Sequence, residues 1–128
     1  MCHVALVDDD RSTAEMYRLG LEMRGLEVAI YPDGPPFLES LETSLPDLVV
    51  LDWNLATVTG GEVLERIRRD ERTSRLPVMI LSNLPRGEAA DVVLSRLGAL
   101  AWLEKVSTTP AQLAETVTRL FERAAQPT

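Results

Sequence analysis

The stretch His3-Val4-Ala5-Leu6-Val7-Asp8-Asp9-Asp10 decides the fold: a short apolar run breaks off into three consecutive carboxylates. Three later runs, Leu48–Leu51, Val78–Leu81 and Ala99–Leu103, have the same short apolar character, and beyond them come Asp52, Ser82 and Lys105. Short continuous apolar runs suit strands buried on both faces, as in a parallel sheet. In an open parallel sheet, ligands sit outside the carboxyl ends of the strands, at a topological switch point. If these runs are neighbouring strands, they bring carboxylates, a hydroxyl and an ammonium to one crevice, which suits a divalent cation and a phosphoryl group. Lys105 is the only lysine beside twelve arginines. A compact point charge therefore stands where this geometry wants one.

Between the runs the periodicity turns helical. Ser12-Thr13-Ala14-Glu15 fits a capping box and predicts a helix with Met16, Tyr17, Gly20 and Leu21 on one face, ending near Gly25. Leu26–Tyr31 reads as a second strand, and Asp33-Gly34-Pro35-Pro36 as a turn into a short helix through Phe37, Leu38 and Leu41. Gly60-Gly61 precedes a third helix carrying Val63, Leu64 and Ile67. A fourth is expected over roughly 85–97, stopped by Gly98, and Thr109-Pro110-Ala111-Gln112 opens the last with a cap, an N1 proline and a capping-box partner. Five strands alternating with five helices predict an α/β fold, a flavodoxin-like doubly wound (βα)5 with a five-stranded parallel sheet of order 2-1-3-4-5 and helices on both faces.

A chain of 128 residues with 45% hydrophobic residues reads as one globular domain. Residues 1–123 are expected to form it, with 124–128 a frayed tail or linker stub. The single Cys2 excludes an internal disulfide, which suits a reducing compartment. No apolar stretch approaches the ~18–20 residues of a membrane span, and the start lacks the basic leader of a signal peptide. A cytoplasmic location is expected. The net charge of −7 argues against nucleic-acid binding by this domain. Arg66, Arg68, Arg69, Arg72 and Arg75 are a local exception, read first as a solvated helix end whose cations complement the C-terminal dipole, and second as a docking patch for an acidic partner.

Val7-Asp8-Asp9, Leu51-Asp52, Gly60, Ile80-Leu81-Ser82 and Leu103-Glu104-Lys105 stand in order and at nearly the spacing of a known family. The chain resembles the receiver domains of two-component response regulators over nearly its whole length. The resemblance implies that Asp52 is the phosphoacceptor, taking a phosphoryl group from a phosphohistidine on a sensor histidine kinase or phosphotransfer protein. It implies Mg²⁺, or Mn²⁺, held by Asp9, Asp52 and the backbone carbonyl of Asn54, with Asp8 acting through water. It implies that Lys105 and the hydroxyl of Ser82 each take a phosphoryl oxygen. The domain would then be no enzyme towards other substrates, and its output would pass to a downstream protein target or a fused output domain. Either a monomer or a phosphorylation-dependent homodimer fits. Two carboxylates about 5 Å apart repel by roughly 3 kcal/mol at an effective dielectric of about 20, so the metal-free site is expected to be strained. Trp102 stands where the family carries a switch aromatic that follows the hydroxyl residue inward and reshapes the helix 4–strand 5–helix 5 surface. A strand residue that merely fills space fits that position equally.

The sequence departs from the family at three points. Val106 follows Lys105 where a cis-proline is usual; a cis bond without proline costs ~2.5–4 kcal/mol, so a trans loop is expected. Asn83 replaces a small residue beside Ser82, and Ala56 stands where proline commonly follows the acceptor. Val106 and Asn83 leave open a receiver-fold interaction module that works without phosphorylation. A Mg²⁺-dependent phosphohydrolase of the haloacid dehalogenase type is disfavoured, because Asn54 occupies the place of its second acid. Asp10 reads as a helix-start acid rather than a ligand.

Overall fold

The structure, a computed structural model, describes residues 2–125. Five strands, β1 (His3–Val7), β2 (Glu27–Tyr31), β3 (Leu48–Asp52), β4 (Val78–Ser82) and β5 (Trp102–Glu104), alternate with α1 (Arg11–Glu22), α2 (Gly34–Ser40), α3 (Gly60–Arg69), α4 (Glu88–Ser95) and α5 (Pro110–Ala125). All pairings are parallel and the order is β2-β1-β3-β4-β5, as the alternation predicts. Of the expected tail over 124–128, residues 124 and 125 belong to α5, and the rest lies outside the described residues.

Strand alternation divides the core between the two faces of the sheet. Ala5, Val7, Val49, Leu51, Val78 and Ile80 pack with Phe37 of α2, Val63, Leu64 and Ile67 of α3, and Ala90 and Val93 of α4. Val4, Leu6, Leu48, Val50, Met79 and Leu81 pack with Ala14, Tyr17 and Leu21 of α1 and with Leu113 and Val117 of α5. β1, β3 and β4 are therefore covered on both sides, which is why they read as unbroken apolar runs.

Four local expectations are corrected. α1 is capped by Asp10, whose carboxylate accepts from the Thr13 N–H at 3.2 Å, and not by the Ser12 box. Asp10 thus is the helix-start acid its position suggested. Met16 lies half exposed, leaving Tyr17 and Leu21 to bury that helix. α4 is shorter than its periodicity predicts, because no side chain caps it at Gly87 and Pro85 lies outside it. Gly98, at φ +65°, then turns the chain, and the regular strand begins at Trp102 rather than Ala99. Pairing with β4 nevertheless starts earlier, as the Leu100 N–H donates to the Val78 carbonyl at 2.8 Å.

The arginine cluster is not simply a solvated helix end. Arg68 donates to the carbonyls of Leu97, Leu76, Ser74 and Gly98 at 2.6, 2.7, 3.2 and 3.3 Å. Arg72 donates to the Leu41 carbonyl. Two of these guanidinium groups therefore tie loops together at the amino end of the sheet, opposite the acids. At α5, by contrast, the expected capping box is present. The Thr109 N–H donates to Gln112 Oε1 at 2.8 Å, and the Gln112 N–H to Thr109 Oγ1 at 3.1 Å.

Candidate functional site

Asp8 follows β1 and Asp52 ends β3, strands that pair directly through Val7 and Leu51. Adjacent strand ends thus set the two carboxylates side by side. Both are buried, at 2% and 5% exposure, whereas Asp9 is exposed. One carboxylate oxygen from each of Asp8, Asp9 and Asp52 lies within 4.8 Å of the others. Lys105, directly after β5, reaches back across the crevice. Its Nζ is 3.0 Å from Asp8 Oδ2 and 3.4 Å from Asp52 Oδ2.

One ammonium faces two buried acids and a third nearby. Burial raises the Asp52 pKa, and the charge of Asp8 adds to it; Lys105 opposes both, leaving Asp52 pushed up from 3.8 to about 6. Burial alone would lower Lys105, but the hydrogen bond and charge of Asp8, with Asp52 beside it, outweigh burial and hold its pKa above the ordinary value. Asp8 Oδ1 accepts the Asp10 N–H at 2.9 Å. Asp8 Oδ2 is buried and faces the Lys105 ammonium at 3.0 Å, with no other donor among the described residues. An under-satisfied carboxylate oxygen beside an exposed acid and a buried one is a hard-oxygen donor set, the kind Mg²⁺ selects.

The loop after Asp52 is shaped by close packing. The Asn54 N–H donates to Asp52 Oδ1 at 3.4 Å, and the Gly60 N–H to the Trp53 carbonyl at 2.7 Å. A Cβ at Gly60 would lie 2.5 Å from the Asp52 carbonyl oxygen, so only glycine lets α3 begin this near the acid. Asp33, the N-cap of α2, accepts from the Thr57 N–H at 3.3 Å and ties the same loop to its neighbour. Asp9, Asp10, Thr13, Asp52, Asn54, Asn83 and Lys105 line an open polar cavity above the acids. Asn83, singled out for its size, is on that rim.

Ser82 ends β4 and is fully buried; its hydroxyl accepts the Leu84 N–H at 2.9 Å. Trp102 donates its indole N–H to the Leu84 carbonyl at 3.2 Å and packs on Trp53, the ring centroids 4.9 Å apart. At 9% exposure Trp102 lies inward. The Lys105–Val106 bond is trans, as expected without proline, and the chain continues in a 3-10 turn over Lys105–Ser107.

Of the residues expected at the site, Asp8, Asp9, Asp52 and Lys105 form one cluster and Asn54 lines the cavity, whereas Ser82 and Trp102 are buried and do not line it. Sequence reasoning missed Thr13, Leu84 and Trp53. Thr13 is a rim hydroxyl a few residues beyond the acids it follows. Leu84 acts through its backbone, which no side-chain pattern reports. Trp53 was legible only as the neighbour of Asp52.

Comparison with known proteins places these features. Residues 4–118 match the family model for the response regulator receiver domain. The chain is 34% identical over 122 residues to the phosphate regulon transcriptional regulatory protein PhoB of Rhizobium meliloti, covering 94% of this chain and 52% of that protein. It is 35% identical over 91 residues to the DNA-binding response regulator MtrA of Mycolicibacterium paratuberculosis, covering 71% and 38%. The chain thus spans about half the length, or less, of these curated relatives. Among solved structures, the receiver domain of the Francisella response regulator 1452 superposes with a TM-score of 0.86 at 27% identity, covering 97% of this chain and 99% of that one.

Proposed function

Because this chain belongs to the response regulator receiver domain family, a signalling domain of two-component systems, we propose that it accepts a phosphoryl group on Asp52. The observation that carries this reading is the Lys105 ammonium set between the Asp8 and Asp52 carboxylates, with Asp9 beside them. The donor is a phosphohistidine on a sensor histidine kinase or phosphotransfer protein. Asp52 attacks phosphorus through a carboxylate oxygen, the bond from phosphorus to the histidine nitrogen breaks, and its electron pair leaves with the imidazole. The product is an acyl phosphate. Asp52 must be ionised to attack, and the positive charge of Lys105 favours that form.

Asp9, Asp52 and the backbone carbonyl of Asn54 would hold Mg²⁺, with Asp8 reaching it through water; Mn²⁺ suits the same oxygens. A cation held there would neutralise charge on the phosphoryl oxygens, the chief demand of phosphoryl transfer. Lys105 leaves its carboxylates to pair with one phosphoryl oxygen, and the Ser82 hydroxyl donates to another. The Ser82 hydroxyl also accepts the Leu84 N–H, so a shift of Ser82 toward the phosphoryl group would pull on the loop that holds the Trp102 indole. Serine and tryptophan thereby act on one backbone segment before α4, and the helix 4–strand 5–helix 5 surface changes as a result.

The output passes to a downstream protein target or to a fused domain, and any homodimer forms on that surface. With a net charge of −7, contact with nucleic acid would belong to an attached domain. No helix among the described residues is long and apolar enough to cross a membrane. As a receiver domain of a two-component system, the chain is placed in the cytoplasm.

Incubation with Mg²⁺ and acetyl phosphate, followed by intact mass, tests the reading. We expect one added phosphoryl group, absent when a chelator replaces the metal. A chain that stays unmodified is instead an interaction module of the receiver fold.

A further inference from the structure

The turn that carries Lys105 holds itself by long hydrogen bonds, from Ser107 Oγ to the Glu104 carbonyl and from the Thr108 N–H to the Lys105 carbonyl, both 3.4 Å. Val106, which follows Lys105, is 85% exposed, so its side chain does not anchor the turn. The restraint comes from α1. Tyr17 is buried, at 1% exposure, and its hydroxyl donates to the Thr108 carbonyl at 2.6 Å, across 91 positions of sequence. The Thr108 N–H in turn donates to the Lys105 carbonyl at 3.4 Å. Two consecutive hydrogen bonds therefore run from the middle of α1 to the backbone of the lysine. One turn further along α1, a Cβ at Gly20 would lie 2.7 Å from the Pro110 Cβ, so this seam between α1 and the start of α5 leaves no room to slide. The Tyr17 hydroxyl is also near enough to Lys105 and Asp8 for both charges to act on it.

We propose that Tyr17 is a positioning residue for phosphoryl transfer: through Thr108 it fixes the β5–α5 turn and so aims the Lys105 ammonium at the acceptor site. The inference rests on the phosphoacceptor reading above. A buried tyrosine generally finds some partner for its hydroxyl, but here the partner is the one turn that delivers the lysine. The ring supplies packing and the hydroxyl supplies the aim, so the two are separable by a single atom.

The test is phosphorylation by acetyl phosphate, followed by intact mass against time and Mg²⁺ concentration. Wild type is compared with Tyr17→Phe and with Leu21→Val, which trims a buried apolar residue one turn further along the same helix and touches no hydrogen bond of the β5–α5 turn. Tyr17→Phe is expected to react about fivefold more slowly at saturating Mg²⁺, the rate equivalent of one ordinary hydrogen bond. Its half-saturating Mg²⁺ concentration should stay unchanged, because the acids are untouched. Leu21→Val should lose thermal stability and keep its rate. Amide exchange should quicken over residues 105–109 in Tyr17→Phe and not along α1. A Tyr17→Phe variant as fast as wild type, or one slowed no more than Leu21→Val, overturns the positioning role alone. A wild-type chain that takes up no phosphoryl group overturns the reading beneath it.

Discussion

Trp102 is tied to Leu84: its indole N–H donates to the Leu84 carbonyl, while the N–H of the same residue donates to the Ser82 hydroxyl. The tryptophan lies inward, held by that bond and by Trp53. Removing it opens a large void beneath the loop. Trp102→Ala is expected to cost about 3 kcal/mol in urea unfolding, the lower end for a buried aromatic. Trp102→Phe keeps a ring and should cost clearly less, while amide exchange at Leu84 rises because the loop that holds its N–H against Ser82 loses the indole restraint.

Asp52 carries the pH dependence of the metal-free protein. Its folded pKa, about 6, lies above its ordinary value of 3.8, so the folded state binds a proton more tightly than the unfolded chain. Stability from this group is then largest near pH 4 and falls as pH rises through 6. Asp52→Asn lacks the effect. We expect the variant to match wild type near pH 4 and to exceed it by about 1–2 kcal/mol above pH 6, allowing for the solvent that reaches the open side of the site. Denaturation without metal at several pH values measures the difference, and a gap independent of pH would contradict a raised acceptor pKa.

Added Mg²⁺ should relieve the same crowding. At a hundredfold excess over its Kd, a ligand of the folded state adds about 2.7 kcal/mol. Thermal melting with Mg²⁺ against a chelator should therefore show a clear rise in Tm. Asp9 is exposed, so Asp9→Asn should melt like wild type in the chelator and lose most of the response to metal.

Arg68 offers a prediction far from the acids. Its four carbonyl partners join the α3–β4 and α4–β5 loops. Arg68→Ala leaves them without a donor and is expected to cost about 2 kcal/mol. Arg68→Lys should recover only part, because an ammonium cannot span a planar fork. Urea unfolding checks both. Phosphorylation by acetyl phosphate should proceed normally in the lysine variant.

Much of the fold was legible in the chain because burial on both faces writes a strand as an apolar run. β1, β3 and β4 follow that rule, and their ends locate Asp8, Asp52 and Ser82. β5 obeys it less well: it is an edge strand, and Gly98 sets where it starts by turning the backbone, not by composition. α4 begins later than its periodicity because Gly87 offers no side chain to cap it. The arginines of α3 read as solvated charge, and only the folded loops supply carbonyls for Arg68 and Arg72. Tyr17 read as one apolar residue of a helical face. Its hydroxyl acquires meaning from Thr108, which lies near it in space and far from it in sequence.

The most direct measurement locates the phosphoryl group on the chain. Borohydride reduction of the acetyl-phosphate-treated protein converts an acyl phosphate to an alcohol, and peptide mapping then reads the altered residue. We expect the change at position 52 alone, and none in Asp52→Asn. A phosphoryl group on Ser82, on Asp9, or nowhere would contradict the assignment of Asp52 as acceptor.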